Sequence, residues 1–140
     1  MSTLVNFWAV GASMILSLVL GFIWYGPLFG KPWMKMSGIA MSDKKPSMAS
    51  MTKPMILALI GAFLLSSTLS FSIAFHDAYF QVTGYAAALS LAFVLWLGLM
   101  VPPYLNLTGW EGKPWKLFAI NTGYWLVFLL LSASIIVLLG

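Results

Sequence analysis

Four stretches, about 4–25, 55–75, 84–107 and 115–139, are long and apolar, and the only charge in any of them is Lys116, at the start of the last. At 1.5 Å rise per residue, about 20 helical residues cover the roughly 30 Å of a bilayer's hydrocarbon layer. The chain has 140 residues, 61% hydrophobic and 7% charged, too few polar groups to give a globule a wettable surface. The predicted fold is all-α: an integral membrane four-helix bundle, one domain over residues 1–140, with a short interfacial helix between the first two spans. Absence of cysteine excludes disulfides, thiolate catalysis and zinc–thiolate sites. Met1 to Phe7 holds no Lys or Arg, so the first run lacks the basic start of a secretory signal and reads as a retained span.

Spacing within the runs points to packing. Ala9, Ser13, Ser17 and Gly21 recur every four residues, as do Ala58, Ala62, Ser66, Ser70 and Ala74, and then Gly84, Ala88 and Ala92. Small side chains at that interval share a helix face and let a neighbouring backbone approach closely. Prolines punctuate the pattern at two places. Gly26-Pro27 is expected to stop the first helix, and Pro102-Pro103 to kink the third at Pro102, because proline lacks an N–H and crowds the carbonyl four residues back. His76 to Gln81 reads as a short turn between the second and third spans.

The connection after the first span, residues 27–53, is too apolar for a disordered linker. Lys31 and Lys35 stand one helical turn apart with Trp33 and Met36 between and beyond them, an interfacial pattern. Ser42, Asp43 and Ser47 are candidate N-caps for the helix that follows. Interface anchors are expected at Trp24, Tyr25, Lys31, Trp33, Lys35, Trp110, Trp115 and Lys116, since aromatic rings and lysines favour the headgroup level. All seven lysines fall in the first and third connections or at their borders. Those two connections share a side in a four-span chain, so the lysines place them in the cytoplasm and both termini outside. The inner side then carries +5 and the outer −1, which suits anionic lipid headgroups at the inner surface. Nucleic acid is not an expected partner, because the chain has no arginine and no basic helix reaching into water.

Two sets of residues carry a family resemblance. One is Trp24-Tyr25-Gly26-Pro27-Leu28-Phe29-Gly30-Lys31-Pro32-Trp33-Met34; the other comprises Leu95-Trp96-Leu97-Gly98, Glu111-Gly112-Lys113-Pro114 and the run from Lys116 to Leu126. In these the chain resembles the bacterial membrane proteins grouped as DUF1761, a domain of unknown function. The resemblance implies a small four-span protein and brings no activity with it. Gly-Lys-Pro-Trp occurs twice, at Gly30 to Trp33 and Gly112 to Trp115. Duplication of a two-helix unit and convergence on interface-favoured residues both explain the echo, and convergence is preferred.

Few residues offer chemistry. His76-Asp77 joins an acid to an imidazole, but neighbours on a helix do not face one another, and a helix-ending polar turn is the preferred reading. Met48, Met51 and Met55 share a helix face with the soft thioethers that suit Cu(I), yet flexible packing explains them without a metal. Neither a metal nor a cofactor is expected. Asn106, Glu111, Lys113, Asn121 and Tyr124 are the candidate ligand-binding residues, near the inner ends of the last two spans, with Glu111 able to pair with Lys113 or Lys116. An amide as deep as Asn121 needs a partner, so the alternative is that these groups tie the two helices together. Ser13, Ser17, Ser66, Ser70, Ser132 and Ser134 read as packing residues, with no His base at their depth.

The leading functional expectation is a non-enzymatic membrane protein that packs as a homo-oligomer or as an accessory subunit of a larger assembly. The alternative is a small transporter, channel or ligand-binding protein with its site near Asn121 and Tyr124. No span embeds a charged residue or histidine away from its ends, which argues against proton-coupled pumping and charge-selective conduction.

Overall fold

The structure is a computed structural model that describes residues 4–37 and 48–140, apart from the side chains of Met48 and Ala49. Among them are four helices long and apolar enough to cross a membrane: Phe7–Leu28, Ser50–Phe80, Tyr85–Trp110 and Trp115–Leu139. A short helix, Gly30–Ser37, follows the first span, and no strand occurs among the described residues. The protein is an all-α membrane protein. Ser42, Asp43 and Ser47, with Lys44, Lys45 and Met41, lie outside the described residues.

The fourth span is the packing centre. Phe128, Leu129 and Ala133 on it are fully buried, together with Ala9 of the first span, Ala62 and Leu69 of the second and Ala92 of the third. The first span packs against the second and fourth, while the third lies mainly against the fourth. Small residues make these approaches close. Ser13, Ser17, Ala62, Ser66, Ser70, Ala88 and Ala92 are buried, Gly21 is half-buried, and Gly84 is exposed at the head of the third span with φ +110°. Several hydroxyls back-bond within their own helix, as Ser66 Oγ does to Ala62 O at 2.6 Å and Ser17 Oγ to Met14 O at 2.7 Å. This satisfies a polar atom that has no water to turn to.

At one end of the fold Asn6 ties three spans. Its side-chain oxygen accepts from Ala9 N–H at 3.2 Å, capping the first span, while its Nδ2 donates to Leu139 O at 3.0 Å. Its own N–H donates to Ser70 Oγ at 2.9 Å. One asparagine thus satisfies backbone groups at the start of one helix and the end of another, groups that helix geometry leaves open.

Two helix limits and the place of one irregular turn differ from the sequence expectation. The first span does not stop at Gly26-Pro27: residues Trp24–Leu28 widen into a π-helical turn, and Phe29 N–H donates to Trp24 O at 2.9 Å. Reaching five residues back carries the chain past Pro27, whose missing N–H would break an ordinary helix there. The second helix runs over Met48–Phe80 with Pro54 inside it, well beyond 55–75. Phe71, Phe75 and Tyr79 stack at 6.2 and 6.1 Å, and His76 meets Phe80 at 5.0 Å, so partners four apart carry the helix through His76-Asp77. It ends at Gln81, which has φ 58°. In the third span the irregular stretch is Trp96–Met100, another π-helical turn just before Pro102, and regular helix resumes over Val101–Trp110. The widened turn absorbs the crowding that Pro102 and Pro103 impose on the carbonyls behind them.

Candidate functional site

Where the first span meets the short helix, aromatic side chains from four helices converge. The π-helical turn aims Trp24 and Tyr25 at the fourth span. Trp24 Nε1–H donates to Ile120 O at 2.9 Å, with the ring 4.9 Å from that of Phe29. Tyr25 O–H donates to Asn121 Oδ1 at 2.8 Å, and its ring lies 4.9 Å from Trp33 and 5.4 Å from Tyr124. Gly30 makes the Trp33 contact possible: a Cβ there would stand 2.6 Å from Tyr25 O, so only glycine lets the short helix begin so close beneath the turn. Tyr124 is buried and its O–H donates to Ser17 O at 3.0 Å, bridging the first and fourth spans.

The third span joins the same stretch of the fourth. Trp96 begins the second π-helical turn, as Trp24 begins the first, and its Nε1–H donates to Thr122 O at 2.7 Å. Trp125 Nε1–H donates to Tyr104 OH at 2.8 Å. Residues 120–125 therefore exchange hydrogen bonds with both the first and third spans, inside an apolar setting where an unpaired N–H or O–H is costly.

Beside this junction lies a pocket of about 940 Å³. Phe22, Tyr25, Trp33, Tyr104, Tyr124 and Trp125 give it aromatic walls, and Met51, Met55, Ala58 and Gly61 of the second span close the other side. None of its described lining residues is charged. It lies at the lysine-bearing end, with Trp33 between the exposed Lys31 and Lys35. A second pocket of about 500 Å³ at the opposite end is lined by Asn6, Ser70 and Asp77 among others.

Of the five ligand-binding candidates, the structure brings two to the first pocket. Tyr124 lines it, and Asn121 stands behind Tyr25 as the acceptor that fixes that ring. Asn106 and Glu111 are exposed and Lys113 is half-buried, and none of the three lines the pocket. Among the described residues the only ion pair is His76 Nδ1 to Asp77 Oδ1 at 3.6 Å, so Glu111 pairs with neither Lys113 nor Lys116. Of the expected anchors, Lys31, Lys35, Trp110, Trp115 and Lys116 are exposed, whereas Trp24, Tyr25 and Trp33 are half-buried and turned to protein partners. The two Gly-Lys-Pro-Trp segments differ in backbone. The first is helical from Gly30, while Gly112 takes φ +67° in the link before Trp115.

Tyr104, Trp96 and Trp125 are not among the candidate site residues expected from the sequence. The available signal was depth: a Trp or Tyr well inside an apolar run needs a polar partner for its N–H or O–H. Trp96 and Trp125 each have an acceptor for the indole N–H, and Tyr104 is the acceptor for Trp125. No curated protein and no solved structure matches the chain. The profile described as "Protein of unknown function (DUF1761)" matches residues 8–137, nearly the whole chain, and the chain therefore belongs to the DUF1761 family.

Proposed function

We propose that this protein is a non-enzymatic, multi-pass binding protein of the bacterial inner (cytoplasmic) membrane that takes an apolar molecule from the bilayer into the pocket beside Tyr25 and Tyr124. The shape of that pocket carries the reading. Phe22 and Leu57, on the first and second spans, line it yet are 54% and 58% exposed, whereas Tyr124 at its inner wall is 7% exposed. A cavity of about 940 Å³ that opens sideways between two spans admits a ligand from lipid without a route through water, and its size suits a small organic molecule. Its described lining residues include no acid, histidine or lysine, which favours binding over acid–base or nucleophilic chemistry. The lysine distribution favours cytoplasmic placement of the pocket end, both termini outside, and a rim attractive to anionic headgroups.

An apolar diazirine photolabel dissolved in the bilayer tests this reading. Saturable labelling of Tyr124 and Trp125, abolished by Ala58→Leu, is the expected result. Labelling confined to outward residues such as Val94 and Leu99, which are 61% and 62% exposed, would count against it.

A second reading, packing with copies of itself or within a larger assembly, draws support from the third span, whose most apolar window is only 11% buried. Native mass spectrometry from mild detergent tests it, with a stable dimer or higher species expected and a monomer at all concentrations opposing it.

A further inference from the structure

Among the described residues, one of the three tyrosine hydroxyls that line the pocket is left with an uncommitted proton. Tyr25 and Tyr124 both line the pocket, but their hydroxyl protons go to Asn121 Oδ1 and Ser17 O. Tyr104 differs: its oxygen accepts from Trp125 Nε1–H at 2.8 Å, and among the described residues its own proton has no acceptor. A hydroxyl that accepts one hydrogen bond is polarised into a better donor. Beside described lining residues that carry no charge, a phenolic O–H lacking an acceptor is a donor that a ligand oxygen can take up.

The pocket walls narrow the ligand further. Among the described lining residues a phosphate or carboxylate finds no cation, and an ammonium finds no carboxylate. The uncharged polar atom that fits is an acceptor such as a carbonyl oxygen. Flat aromatic faces from Tyr25, Trp33 and Trp125 favour a planar ring in offset or edge contact. Met51 and Met55 supply adaptable apolar contact on the other side. The exposed Phe22 and Leu57 at the mouth leave a path by which an alkyl tail continues into lipid.

Resting on the binding role argued above, we propose that the ligand is a neutral lipid whose planar, carbonyl-bearing ring, of the quinone class, enters the pocket and accepts a hydrogen bond from Tyr104 O–H, its tail remaining between the first and second spans. The test uses full-length protein in phosphatidylcholine nanodiscs. Decyl-substituted benzoquinone and decylbenzene, which differ in the ring carbonyls, each compete against the apolar photolabel at Tyr124 and Trp125. The quinone is expected to compete at about fivefold lower concentration, the worth of one net hydrogen bond. Tyr104→Phe should remove that advantage and leave the decylbenzene curve in place. Equal competition by the two compounds in the wild type overturns the ring-carbonyl ligand while leaving the pocket as a binding site. Absence of saturable labelling overturns both. The wild-type comparison decides the matter even if Tyr104→Phe does not fold.

Discussion

The indole N–H of Trp24 donates to the main-chain carbonyl of Ile120 at 2.9 Å, across a sequence gap that closes only when the first span lies on the fourth. Trp96 repeats the arrangement two residues along, on Thr122 O at 2.7 Å. Each Trp is the first residue of a π-helical turn, the first turn containing Pro27 and the second standing just before Pro102 and Pro103. The irregular turns thus place two rigid donors on one stretch of the central helix. Trp24→Phe and Trp96→Phe keep most of the apolar bulk and remove one hydrogen bond each, so each should cost about 1 kcal/mol. Thermal unfolding in detergent reads the loss. Wild-type stability in both variants would mean the indole bonds do not hold the helices.

Gly123 gives a change of sign. A Cβ at this position would lie 3.2 Å from Trp24 Cζ2, and Trp24 is held by its bond to Ile120 and its contact with Phe29. Gly123→Ala should therefore destabilise the wild type, since overpacking at about 1–3 kcal/mol outweighs a helix-propensity gain of about 0.8–1 kcal/mol. With Trp24→Leu the obstructing ring atoms are gone, and Gly123→Ala should become stabilising. Equilibrium unfolding of the wild type and the three variants checks this.

Asn121 and Tyr25 should behave as a pair. Their 2.8 Å bond joins the fourth span to the pocket wall. A double-mutant cycle of Asn121→Ala and Tyr25→Phe is expected to give coupling of about 0.6 kcal/mol, the average for polar contacts between membrane helices. Either single change should also weaken photolabelling at Tyr124, because Tyr25 loses its fixed position. Additive losses would show that the two side chains act independently.

Membrane orientation is testable because the chain has no cysteine. An impermeant thiol reagent should label Gln81→Cys in spheroplasts and reach Lys35→Cys only after permeabilisation. Both positions are exposed, so access depends on sidedness. The reverse pattern would place the lysine-rich end outside and contradict the charge argument.

Fold and site were legible in the sequence to different degrees. Length and absence of charge mark the four spans, and the four-residue spacing of small side chains places Ser13, Ser17, Ala62 and Ser66 on faces that are buried in the fold. The end of the second span was hidden because His76-Asp77 looks like a turn, whereas the stacking of Phe71, Phe75 and Tyr79 that extends the helix is a pairing between side chains. Pro27 signals a break, and nothing local shows that Trp24 O will take the N–H of Phe29 instead. Asn121 draws notice as an amide inside an apolar run. Its partner Tyr25 lies 96 residues away, and the pocket arises only from such distant juxtapositions.

The central claim, that an apolar molecule occupies the pocket beside Tyr124, is tested most directly by mass spectrometry of the protein extracted from its own membranes in mild detergent. Wild-type protein should carry a non-covalently bound neutral lipid at near one-to-one stoichiometry. Ala58→Leu, which adds bulk to the pocket wall on the second span without touching the hydrogen bonds of residues 120–125, should emerge folded and empty. The same bound species at the same occupancy in both proteins, or none in either, would contradict the account.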